Sequence, residues 1–180
     1  MNKYLKDYSI LFMISGLIVA LDQWTKTLVR EFIPLGGYWM PLEWLRPYFR
    51  FVYWTNTGAA FGFFQNGSLI FGVLAVIVIL LIVYYFPRVS PADWTLRIAM
   101  GMQLAGAAGN LIDRVRFSGN VTDFISVGQF AVFNVADSSI TVGVAILLLG
   151  AWIKDLHAKK ATRIDQNGPI DFPMEKPKVE

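Results

Sequence analysis

Cysteine is absent from the 180 residues, and histidine occurs once, as His157. Without thiols, disulfides, thiolate metal sites and cysteine nucleophiles fall away together, while the redox compartment stays open. A single histidine beyond the last apolar run excludes a Ser–His pair, a multi-histidine metal site and an H-E-x-x-H zinc motif. Charge is scarce as well: 16% of residues are charged against 55% apolar, and the mean hydropathy is +0.48. That balance belongs to a membrane protein of about one domain. A net charge of +3 is too small to argue for nucleic acid, so none is expected as a partner.

Charge is missing in long runs. Tyr8 to Leu21 carries none, no small-x-small cleavage site follows it, and its helical pattern continues to about Val29. An uncleaved first span over about 9–29 is therefore expected, closed by Pro34-Leu-Gly-Gly37. Leu69 to Phe86 is a clear second span, and Pro87-Arg88 with Ser90-Pro-Ala-Asp93 separates it from a third. The third and fourth spans are expected over about 94–113 and 132–153.

Residues 34–66 are crowded with aromatics, among them Trp39, Trp44, Tyr48, Phe51, Tyr53, Trp54 and Phe61. Arg50 to Thr55 reads as a strand, Val121 to Ile125 as another short extended piece, and Pro41 with Pro47 argues against one long helix. Too short and broken to span, the aromatic segment suits the membrane–water interface. The fold class is thus a mainly α membrane protein: a four-transmembrane-helix bundle with a small β-containing, aromatic-rich platform between helices 1 and 2. Residues 1–157 form the membrane domain, and 158–180 a charged, proline-bearing tail expected to be disordered. Lys3, Lys6, Arg88, Arg97, Lys154 and Lys159 place both termini in the cytoplasm; Arg30, Arg46, Arg50 and Arg116 count against that orientation.

Polar residues recur as stripes on these helices: Ser15, Asp22, Thr25 and Lys26; Gln103, Gly106, Asn110 and Asp113; Asn134, Asp137, Ser138 and Thr141. A charge at bilayer depth costs about 2.5–3.5 kcal/mol on insertion scales, so several together call for a function. The topology gathers Asp22, Asn110, Asp113, Arg114, Asp123 and Asp137 at one depth, near the outer helix ends. Asp22 has Lys26 one turn along and Asp113 has Arg114 beside it, whereas Asp123 and Asp137 have no adjacent cation. Two carboxylates about 4 Å apart repel by about 4 kcal/mol at an effective dielectric near 20. Such a pair would share one proton near neutral pH, deprotonate a water and polarise a carbonyl. That is peptide hydrolysis with no cofactor and no metal. Spacing alone does not bring Asp123 to Asp137, and the same residues also fit a proton-coupled transporter or an assembly subunit.

Five blocks narrow the choice. Asp22-Gln-Trp-Thr-Lys26, Asn56-Thr-Gly58-Ala-Ala-Phe61, Gly109-Asn110-Leu-Ile-Asp113-Arg114, Val121-Thr-Asp123-Phe124 and Phe133-Asn134-Val-Ala136-Asp137 resemble bacterial lipoprotein signal peptidase (signal peptidase II), in order and spacing, across about residues 10–155. The resemblance implies an aspartyl endopeptidase of the bacterial inner membrane. Its substrate would be a diacylglyceryl-modified prolipoprotein, cut just before the lipidated cysteine. It puts the catalytic pair at Asp123 and Asp137 and makes Asp22, Lys26, Asn56, Gly58, Asn110, Asp113, Arg114, Asn134 and Ala136 substrate-holding or site-shaping positions. It makes the 34–66 segment a periplasmic platform, with the site near the periplasmic face. Membrane lipid is the other expected partner, and a monomer the expected state. The chain departs from the family pattern at Ala105-Gly106-Ala107-Ala108, where paired glycines are frequent, and at Thr122, where valine is.

Overall fold

Ser68–Tyr85 is apolar on every side, and of its residues only Ile82 is fully buried, so most of its apolar surface faces outward. A helix of that composition is stable only in an apolar solvent. The computed structural model describes residues 3–58 and 67–166. In chain order these form α1 (Lys3–Phe32), β1 (Tyr38–Trp39), β2 (Phe49–Asn56), α2 (Ser68–Tyr85), α3 (Trp94–Arg116), β3 (Val121–Val127) and α4 (Val135–Gln166). Short 3-10 turns at Glu43–Leu45 and Phe86–Arg88 fill two connections. Among the described residues, three stretches are long and apolar enough to cross a membrane: Tyr4–Phe32, Ser68–Arg88 and Val135–Leu156.

Helix α3 falls below that apolar threshold for a physical reason. It packs against α1, α2 and α4 at once, and its buried residues include Arg97, Asn110 and Asp113 beside Gly101, Gly106 and Gly109. Its polar groups meet protein, so it needs less apolar surface than a helix facing lipid. Asp93 caps its start, accepting from the Leu96 N–H at 3.3 Å, and the same carboxylate pairs with Lys154 of α4. In the same first turn of α3, Arg97 Nη2 donates to Asp7 Oδ1 near the N-terminal end of α1 at 2.7 Å, with its guanidinium 4.4 Å over the Phe86 ring.

The strands form one antiparallel sheet in the order β1-β2-β3. Pairing of β2 with β3 carries an irregularity between Phe51 and Trp54, and Trp54 stands opposite Asp123. Val29, Ile33 and Phe124 bury together where the sheet meets α1, with Phe51 and Tyr53 packed against them. Trp39, Trp44, Tyr48 and Trp54 stay exposed.

Two expectations are corrected. Helix α4 begins at Val135, because Phe133 instead bridges Ile125 of β3. The same helix continues to Gln166, so the first part of the expected disordered tail, 158–166, is helical. Ala158, Lys159, Lys160 and Ala161 are strong helix formers, Lys159 pairs with Asp155 at 2.6 Å, and no proline intervenes before Pro169. The rest of that tail and the Ala59-Ala60-Phe61 end of the second block lie outside the described residues.

Candidate active site

Polar side chains bury at one end of the bundle, inverting the pattern of a water-soluble core. Asp22 and Lys26, one helical turn apart on α1, are fully buried and 2.9 Å apart. Lys26 Nζ also donates to Asn110 Oδ1 at 3.1 Å and lies 3.4 Å from Asp113 Oδ2, both on α3. It thus donates one hydrogen bond to an amide oxygen and is flanked by two carboxylates, which is what makes a buried ammonium tolerable. Gln23 Nε2 adds contacts to Asp22 Oδ2 at 3.1 Å, Asp113 Oδ1 at 3.0 Å and the Gly109 carbonyl at 3.1 Å.

This ionic centre reaches the two candidate catalytic carboxylates by separate routes. Asp22 Oδ1 accepts from the Ala136 N–H at 2.9 Å, so a side chain of α1 satisfies an open donor at the start of α4. Asp113 Oδ2 accepts from the Thr122 N–H at 2.9 Å, which holds β3 just before Asp123. Asn110 links directly: its Oδ1 faces Lys26, a pure donor, so its Nδ2 must face Asp137 Oδ1, at 2.8 Å. Gly109 permits the approach, since a Cβ there would lie 2.7 Å from Asp22 Oδ2 and 3.2 Å from Ala136 Cβ.

Asn134 joins the pair. Its Nδ2 donates to Asp123 Oδ1 at 2.7 Å, and its backbone N–H donates to Asp137 Oδ2 at 3.2 Å. The Asp137 N–H returns a bond to Asn134 Oδ1 at 2.9 Å, completing a reciprocal capping box at the start of α4. Asn56 Nδ2 holds the other Asp123 oxygen at 3.2 Å, while Asn56 Oδ1 accepts from the Gly58 N–H at 2.9 Å. Asp123 is buried, and burial first, then the charge of Asp137, raises its carboxyl pKa to about 7.

Both carboxylates open on a cavity of about 720 Å³. Phe71, Leu74 and Val78 of α2 and Ile140 of α4 make its apolar walls. Arg114 lines it too, 5.6 Å over the Phe71 ring, with its Nε buried and unbonded among the described residues. Lys26 and Arg30 flank Asp113, while Arg114, its neighbour in sequence, faces the cavity. Adjacent helical residues point about 100° apart and cannot share a face.

Asp22, Lys26, Asn56, Gly58, Asn110, Asp113, Arg114, Asp123, Asn134, Ala136 and Asp137 thus converge. Of the other stripe residues, Gln103, Ser138 and Thr141 line the same cavity, while the Ser15 and Thr25 hydroxyls bond carbonyls of their own helix and lie outside it; Gln103 donates across to the Ile140 carbonyl at 2.8 Å. Gln23 and Arg30 are site residues that the sequence reading passed over. Arg30 was accessible to it, being four residues beyond Lys26 on the same stripe.

A family model described as signal peptidase (SPase) II matches residues 14–153. The lipoprotein signal peptidase of Caldanaerobacter subterraneus is 44% identical over 137 residues, which are 75% of this chain and 90% of that protein. That of Anoxybacillus flavithermus is 34% identical over 155 residues, 82% and 88% respectively. A solved bacterial membrane enzyme shares the fold with a TM-score of 0.74 and 30% identity, covering 83% of this chain and 90% of that one. A second solved bacterial membrane enzyme gives 0.69 and 29%, covering 78% and 91%.

Proposed function

Since the chain belongs to the signal peptidase II family, we propose that it removes the signal peptide from diacylglyceryl-modified prolipoproteins, cutting just before the lipidated cysteine, with Asp123 and Asp137 activating water. One observation carries the reading: Asn134 bonds both carboxylates at the wall of a single cavity. With the Asp123 carboxyl at about 7, the pair shares one proton near neutral pH. The ionised member takes a proton from a water as its oxygen attacks the scissile carbonyl carbon. The protonated member donates to the carbonyl oxygen. Collapse of the resulting gem-diol breaks the C–N bond: the amine leaves with a proton from the member that took one from water, a diol hydroxyl returns its proton to the other member, and the dyad again holds one proton.

The other matched residues have positioning and binding roles in this scheme. Asn110 and Asn134 orient Asp137, Asn56 and Asn134 orient Asp123, and the Asp22–Lys26–Asp113 centre holds α1, α3, β3 and α4 at fixed spacing. Arg114 offers donors to backbone carbonyls of the bound peptide, and the apolar walls between α2, α3 and α4 take the signal helix and acyl chains. Residues 1–157 are the membrane domain in this reading, with four spans in the bacterial inner membrane, cytoplasmic termini and a periplasmic-side site. The sheet with its exposed tryptophans rests at the membrane surface. No metal or cofactor enters the scheme, and the enzyme works as a monomer.

The substrate reading is tested with purified protein in detergent, given one precursor with and without diacylglyceryl modification. Mass spectrometry should find a new N-terminus at the lipidated cysteine from the modified precursor alone. Equal cleavage of both forms, or a cut elsewhere, would contradict it.

A further inference from the structure

Thr122 immediately precedes Asp123 on β3, and three groups converge on it. Its N–H donates to Asp113 Oδ2 at 2.9 Å, its carbonyl accepts from Asn134 Nδ2 at 3.3 Å, and its Oγ1 accepts from Arg30 Nη1 at 2.9 Å. Successive strand side chains point to opposite faces, so the hydroxyl meets α1 while Asp123 meets the cavity. Arg30 is itself well fixed. Its Nη2 donates to Thr27 Oγ1 at 3.1 Å, its guanidinium sits 4.5 Å over the Phe117 ring, and Nη1 lies 3.8 Å from Asp113 Oδ2.

Such anchoring matters here because the backbone ladder is interrupted next to Asp123. The β2–β3 register shifts between Phe51 and Trp54, and the Phe124 and Ile125 N–H groups both turn to the Phe133 carbonyl. The extra residue is on β2, where Val52 and Tyr53 face Phe124 alone, so the ladder that would fix the rotation of β3 is disrupted beside Asp123, and rotation of β3 would swing its carboxyl. We propose that Arg30 is a positioning residue: through the Thr122 hydroxyl and the Asp113 carboxylate it fixes the rotation of β3, and with it the direction in which Asp123 meets the scissile bond. The inference rests on the proposed dyad.

Its test is steady-state cleavage of the lipid-modified precursor by wild type, Thr122→Val, Thr122→Ser, Arg30→Met and the Arg30→Met/Thr122→Val pair, with melting temperatures taken alongside. A misdirected reacting group lowers kcat more than binding, so in this chain, where Arg30 meets a hydroxyl at a position frequently valine in the family, Thr122→Val should lose about tenfold in kcat with KM nearly unchanged. Thr122→Ser, which restores the acceptor, should recover most of the rate. Arg30→Met should lose at least as much, and adding Thr122→Val to it should cost nothing further, since the two act through one contact. Wild-type kcat in Thr122→Val would overturn the positioning role while leaving the dyad standing, as would additive losses in the pair. Failure of the wild type to cleave would overturn the dyad reading and this inference together.

Discussion

Between pH 5 and 8 the Asp123 carboxyl changes state, because its folded pKa of about 7 stands well above the ordinary 3.8. A carboxyl raised in the folded state contributes stability that is complete below the unfolded pKa and lost as pH rises through the folded one. Asp123 therefore opposes folding as it ionises, and the residue is retained against a stability penalty. Asp123→Asn has no such ionisation, so its melting temperature should gain on the wild type's between pH 5 and pH 8. A constant gap between the two would contradict that sign. Activity should fall as pH rises beyond about 7, when the shared proton is lost; a rate still climbing at pH 9 would contradict it. Lys26 belongs to the same scale. Lys26→Met would leave Asp22 and Asp113 buried without their shared cation, at a cost of about 3–5 kcal/mol by analogy with other broken buried pairs. Chemical denaturation in detergent reads that loss, and a change below about 1 kcal/mol would mean the centre is not held by Lys26.

Helix α4 is the element on which the site turns. Its first turn is capped from within by Asn134 and from α1 by Asp22, and Asp137 is its third residue. Gly109 sets how closely α3 can approach that turn. Gly109→Ala puts a methyl against Asp22 Oδ2 and Ala136, an overpacking of about 1–3 kcal/mol that also moves Asp137 off its partners. Turnover and melting temperature should fall together, and an unchanged protein would show that α3 and α4 have slack there. At this scale the sequence was readable where period and composition speak: the uncharged run of α2, the break at Ser90 to Asp93 before α3, the strand at Arg50 to Thr55. It was unreadable where an element depends on a distant partner. The pairing of β3 with β2 joins residues some 70 positions apart along the chain, and the late start of α4 follows from Phe133 bridging Ile125. Which way Arg114 faces was likewise open in the sequence, since it stands beside Asp113 along the chain while the helix turns the two apart.

Over the described residues the helices are largely apolar outside, with an ionic cluster buried at one end of the bundle and the Asp7–Arg97 pair buried at the other. The cluster was anticipated from three polar stripes on otherwise apolar spans, while Asn134, which unites the carboxylates, carried no sign of its bridging position in the sequence pattern. Orientation can be tested cleanly because the chain lacks cysteine. A membrane-impermeant thiol reagent on spheroplasts should label Glu43→Cys on the platform and spare Ser90→Cys in the α2–α3 turn. The reverse pattern would invert the topology. The most direct test of the central claim is turnover of a diacylglyceryl-modified prolipoprotein by purified wild type, Asp123→Asn and Asp137→Asn, with folding of each verified. Both variants should stay folded and lose nearly all cleavage, since neither amide can trade the shared proton. Cleavage surviving in either folded variant would mean that the working carboxylates are not this pair.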